Sequence, residues 1–175
     1  MIKPLIRLAG MATAICLFAA TSHAVIWNLA TTMNGASEVP PNGSAATGSF
    51  TATWDDVADF LSYHLVVNNL GSGATLAHVH GPAGIGQVAS PIIDLIVLPG
   101  QTSFVYDGIA VPSPANAATF ESLLQSGTIN AYVNVHSTNF PAGEIRGQLA
   151  VVPEPATLLV LGPAAFLALR RKFKR

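Results

Sequence analysis

Phe60-Leu61-Ser62-Tyr63-His64-Leu65-Val66-Val67-Asn68 decides the fold of this 175-residue chain. In an extended backbone successive side chains point to opposite faces. Leu61, Tyr63, Leu65 and Val67 then share one face, and Ser62, His64 and Val66 the other. The stretch 128–136 repeats the pattern. Ile129, Ala131, Val133 and Val135 make a core face there, and Asn130, Tyr132, Asn134 and His136 make the opposite one. Working outward, further strands are predicted over 25–33, 48–54, 75–80, 91–98, 102–107 and 144–151. They are separated by Gly, Pro, Asn and Ser. Short strands at regular spacing argue for an all-β antiparallel sandwich or barrel. One helix interrupts them. Ser113-Pro114 offers a cap followed by a first-turn proline, Phe120, Leu123 and Leu124 an apolar stripe, and Gly127 a stop. It is expected to lie across an end of the sandwich.

The two ends of the chain read differently. Lys3 and Arg7, the apolar run 8–20 and Ser22-His23-Ala24 have the order of a secretory signal peptide, 1–24, cleaved after Ala24. Cys16 is the sole cysteine and leaves with that segment, so the mature chain has neither disulfides nor thiol chemistry. At the other end Val152-Pro153-Glu154-Pro155 precedes an apolar span, 156–169, and a basic cluster that begins with Arg170 and Arg171. Fourteen residues rise only about 21 Å as a helix, against a hydrocarbon core of roughly 30 Å. Basic residues after a span mark the cytoplasmic side and can snorkel, which favours a membrane helix over a core helix.

Between these ends, 25–152, lie eight carboxylates and a single cation, Arg146, a net charge of −7 against −1 for the whole chain. That surface repels phosphate backbones and argues against nucleic-acid binding. About 128 residues suffice for one core.

The residues able to carry chemistry are few. His78 and His80 are two apart on a predicted strand, so both imidazoles project from one face. His136 could supply a third nitrogen and His64 a fourth. Three imidazoles suit Cu(II) or Zn(II), with water at a vacant position. The plainer reading is that these histidines bond loop carbonyls and order the turn 81–84. Glu144 and Arg146 are two apart and share a face. They form an ion pair, or Arg146 bonds loop carbonyls, or it meets an anion near the histidines. Asp55, Asp56 and Asp59 read as a solvated turn. Glu38, Asp94 and Glu144 could meet as paired carboxylates, although nothing in their spacing favours it. No Gly-x-Ser-x-Gly elbow is present, and the glycines of 81–86 do not lead into a capped helix, so no phosphate loop is expected.

Three resemblances bear on these readings. The Val-Pro-Glu-Pro box, apolar span and Arg cluster resemble the PEP-CTERM signal of Gram-negative bacteria that make exopolysaccharide. That resemblance implies an exported precursor held in the inner membrane by a tail, 153–175, an exosortase-type processing enzyme as partner, and a final place at the cell surface or outside the cell. Four stretches resemble the CHRD domain: 33–41 (MNGASEVPP), 77–84 (AHVHGPAG), 131–137 (AYVNVHS) and 141–149 (PAGEIRGQL). This likeness, over residues 30 to 150, implies an immunoglobulin-like β-sandwich for 25–152 and supplies no function. More distantly, His78-Val79-His80, Val133-Asn134-Val135-His136 and the following Arg146 resemble the copper side of copper/zinc superoxide dismutases. By that comparison His78, His80 and His136 are copper ligands and Arg146 guides anions. The long zinc-binding loop has no counterpart between Gly81 and Asp94, and the structural disulfide cannot form. The expected role is non-enzymatic, structural or adhesive, among surface polysaccharide or matrix proteins and without a cofactor. The alternative is a copper- or zinc-binding domain.

Overall fold

The structure is a computed structural model that describes residues 24–153. The expected signal peptide, and the tail from Glu154 through Arg170 and Arg171, lie outside the described residues; Ala24, Val152 and Pro153 are described and exposed. Among the described residues no helix is long and apolar enough to cross a membrane.

Among the described residues nine strands and one α-helix follow in the order β1 (Ile26–Asn34), β2 (Thr47–Asp55), β3 (Phe60–Asn68), β4 (Ala74–His80), β5 (Pro91–Leu95), β6 (Phe104–Ala110), α1 (Pro114–Gln125), β7 (Tyr132–Ser137), β8 (Ile145–Gln148) and β9 (Ala150–Val151), with a single 3-10 turn, Gly35–Ser37, after β1. Period-two alternation is realised most fully in β3, where Leu61, Tyr63, Leu65 and Val67 are all buried. Its partner β2 buries Phe50, Ala52 and Trp54 in the same register. Fully burying each of the large apolar side chains contributes on the order of 1.5–3 kcal/mol, so these two strands anchor the core.

The strands form one antiparallel sheet in the order β5–β4–β7–β8–β1–β2–β3–β6, with β9 added to β1. Its two edges, β5 and β6, approach each other, so the sheet is nearly closed. The expectation of an all-β antiparallel architecture with one helix is met. The two halves of this sandwich- or barrel-like sheet are joined by β1, which hands the ladder from one to the other. Its end residue Asn34 pairs with Arg146 of β8, and Leu29 and Ala30 pair with Val151 and Ala150 of β9. Gly147 permits that junction. A Cβ there would stand 2.3 Å from the Thr32 carbonyl oxygen and push β8 away from β1.

Helix α1 begins as expected. Ser113 is its N-cap, its side chain accepting from Asn116 N, and Pro114 follows. Phe120 meets Trp54 edge to face at 5.2 Å, which fixes the helix against the β2 end of the core. The acidic turn between β2 and β3 is held by its own backbone: Asp55 Oδ1 accepts from Val57 N and Ala58 N.

Four predicted strands have other bounds than expected. The sixth, expected over 102–107, runs Phe104–Ala110, its ladder to β3 continuing as far as the Leu61–Ala110 pair. The seventh starts at Tyr132 instead of 128, because the backbone before it bonds to loops: Ala83 N donates to Asn130 O and Leu149 N to Ala131 O. The fifth stops at Leu95, where Ile96 N donates to the Tyr63 hydroxyl. The last divides into β8 on β7 and β9 on β1.

Candidate metal site and the polar face of the seventh strand

Strand β7 is buried on both faces. Its inward side chains, Val133 and Val135, join the core, as the alternation requires. Its outward ones, Tyr132, Asn134 and His136, meet polar side chains from both neighbouring strands. The register aligns His80, Tyr132 and Gln148 in one row across β4, β7 and β8, and His78, Asn134 and Arg146 in the next. With His136, which lies opposite Leu76, these rows hold the candidate site.

The structure brings His78, His80 and His136 together. One ring nitrogen from each lies within 4.8 Å of the others. Two carbonyls set the tautomers, since a carbonyl only accepts. His80 Nδ1 donates to Ala89 O at 2.9 Å, and His136 Nδ1 donates to Pro141 O at 2.9 Å. Both Nε2 atoms are left with lone pairs. His136 Nε2 stands 3.2 Å from His78 Nδ1, whereas His80 Nε2 is buried without a partner. The second nitrogen of His78, Nε2, lies 3.7 Å from the exposed Asp94 carboxylate.

Burial sets the charge state. It lowers the pKa of all three imidazoles, that of His80 to about 4, against opposing hydrogen bonds from Ala89 and Pro141 and the attraction of Asp94. Neutral imidazoles are what metal coordination needs. Outer hydrogen bonds from ligand rings to carbonyls fix orientation in the same way around bound metals. Two nitrogens on one tetrahedral Zn(II) sit roughly 3.3 Å apart, so the His78–His136 spacing fits, and one nitrogen of His80 lies within 4.8 Å of both.

His64 does not join them. It projects from β3, in the other half of the sheet, and pairs with exposed Asp107 at 2.6 Å. Glu144 and Arg146 do not pair either. Glu144 is fully buried just before β8, where its carboxylate accepts from Ser44 Oγ and Gly71 N, each at 2.6 Å, and from Ser137 Oγ. It ties three loops together. Arg146 lies with its guanidinium carbon 3.4 Å from the Tyr132 ring centroid and donates to Gly84 O and Gln148 Oε1. The reading of Arg146 as a ligand of loop carbonyls therefore holds in place of the ion pair. Its attracting carboxylate is Glu38.

Two members of this face, Tyr132 and Asn134, carried no site role in the sequence reading, and Glu38 only that of a paired carboxylate. Tyr132 stacks on His80, rings nearly parallel at 4.8 Å. Asn134 donates through Nδ2 to both oxygens of Glu38 at 3.1 Å. Glu38 is buried, and desolvation raises its pKa to about 7 against the pull of Arg146 and Asn134. Gly143 makes room for this contact: at φ +132, a Cβ there would fall 2.4 Å from Asn134 and 2.8 Å from Glu38. Glu38, Asp94 and Glu144 thus face different partners and form no carboxylate pair. The signal for Glu38 and Asn134 lay in the outward period of β7 and the Met33–Pro41 segment, and only the fold joins the two.

No curated protein and no solved structure matches the chain. The CHRD domain profile matches residues 29–149, well over half its length and every element from β1 to β8 except the first residues of β1. The protein belongs to the CHRD domain family.

Proposed function

We propose that this CHRD domain is an exported, surface-held module that binds one copper or zinc ion through His78, His80 and His136, in a binding role and not as an enzyme. The observation that supports it is the convergence of three imidazoles, of which His80 and His136 are held by carbonyls through Nδ1, while His80 Nε2 is buried with nothing to accept from. A buried lone pair without a partner calls for an occupant. A bound ion would supply positive charge to a domain of net −7. Export rests on the signal-peptide pattern and the PEP-CTERM-like tail. On that reading an exosortase-type enzyme processes the precursor at the inner membrane, and the nearly closed sheet is an immunoglobulin-like sandwich displayed at the cell surface.

The test is metal content and titration with Cu(II) and Zn(II) on the purified full chain, alongside His78→Ala and His136→Ala. Stoichiometric binding weakened in both variants by about 100-fold, or ~2.7 kcal/mol, supports the site. Equal affinity in all three proteins sinks it, and leaves the histidines as structural groups in a surface-adhesive domain.

A further inference from the structure

A second hollow opens on the same polar face, beyond Asn134 and away from the imidazoles. It has a volume of about 430 Å³. Glu38, Arg146 and Gln148 line it, and Val39, Pro41 and Ile85 supply apolar wall. Its two charged residues are almost wholly enclosed, Arg146 2 % and Glu38 7 % exposed, yet both border the cavity. Ile85 is the reverse: at 89 % it has the highest exposure of the large apolar side chains among the described residues.

We infer that this cavity binds a neutral, hydroxyl-rich ligand, namely a sugar unit. Three observations lead there. Arg146 only donates and Glu38 accepts, so adjacent hydroxyls, each donor and acceptor at once, can bridge the two. With Glu38 ionised the two charges offset each other, so neither an anion nor a cation finds an uncompensated partner. The surrounding domain has net charge −7, which disfavours anions further. The apolar wall of Val39, Pro41 and Ile85 suits the C–H face of a sugar ring, and the volume lies within the usual range for small-ligand pockets.

The loop that shapes the cavity is held from below, as a binding site needs. Gln87 N donates to Gly84 O, Gln148 Nε2 to Ala83 O, and Arg146 to Gly84 O. The floor is equally fixed, because Asn134 holds both Glu38 oxygens.

The inference does not depend on the metal site, and a chelator separates the two. The experiment is an NMR titration of the full chain in the presence of EDTA with glucose, galactose, mannose, N-acetylglucosamine and glucuronate. At least one neutral sugar is expected to saturate. Glu38→Gln and Ile85→Glu should each weaken that binding about 10-fold or more, equivalent to ~1.4 kcal/mol. Ile85 is so exposed that its variant keeps the fold, so a loss there is a loss of binding. No saturation with any neutral sugar, affinity unchanged in Ile85→Glu, or glucuronate binding more tightly than glucose would each overturn it; the last would make the cavity an anion site.

Discussion

The two halves of the sheet carry polar residues outward in the same alternation, and treat them differently. Across β2, β3 and β6 the outward row Thr51, His64 and Asp107 stands in solvent. Across β4, β7 and β8 the outward row His78, Asn134 and Arg146 is wholly or partly covered by the segments 35–41, 81–90 and 138–144. Water satisfies the first row at no cost. The second has to satisfy itself, since an unpaired polar group is expensive away from water. Cover, and not composition, turns a polar strand face into a site. His64 and His136 are the same residue type on strands of the same sheet, and only His136 sits where lone pairs converge.

The sharpest way to break this contrast is Glu144→Ala. It leaves Ser44, Ser137 and the Gly71 amide without their shared acceptor inside the protein, and should cost about 3 kcal/mol or more in thermal or denaturant unfolding. A loss under about 1 kcal/mol would mean that burial on this side imposes no such demand. Next comes the histidine comparison itself. His80→Ala should weaken Zn(II) by roughly 100-fold in a competition titration, and His64→Ala should leave it unchanged. Equal effects would erase the difference between the halves.

A pH scan sharpens the picture within the covered face. Folded His80 has its pKa lowered to about 4, so between that value and 6.5 the unfolded chain binds more protons. Its contribution is complete above 6.5 and is lost as pH falls towards 4. Folded Glu38, raised from 4.5 to about 7, binds more protons than the unfolded chain in that interval, so its contribution falls as pH rises. The two oppose each other between 4.5 and 6.5. Glu38→Gln removes one of them, and its melting temperature should fall more steeply than the wild type's on acidification from pH 6.5 to 4.5. Parallel curves would show that Glu38 does not titrate there. The smallest effect belongs to the open face: Asp107→Ala breaks only an exposed pair with His64 and should change stability by less than about 0.5 kcal/mol in the same unfolding assay.

What could be read in the sequence follows the same division. Strand β3 coincides with the predicted 60–68 because its alternation separates core from water, and α1 starts where Ser113-Pro114 placed it. The histidines were legible in part: His78 and His80 share a face by period alone and His136 ends the predicted strand 128–136, but that this strand lies beside β4 is a matter of topology. The boundaries of β7 and β8 were not. Asn130 and Ala131 look like strand, but their carbonyls bond loop amides, and periodicity is blind to a partner chosen by tertiary structure. Glu144 and Arg146 were paired in sequence by proximity, yet each found better partners among residues 62 to 100 positions away. Glu38 reaches Asn134 across 96 positions, and no local pattern carries that information.

The pairing of β9 with β1 has a mechanical side. Val152 N donates to Asn28 O, and only two residue pairs, Leu29–Val151 and Ala30–Ala150, follow it. If the domain hangs from the chain beyond Val152, drag on it enters at that first bond and opens the contacts one at a time, as a zipper opens from its free end. The first stretch to yield is β9. The next in line is β8, locked by Ile145 in the core and by the buried Glu144 beside it. Under such a load the short, two-pair β9 would give way before the strain reached the histidines.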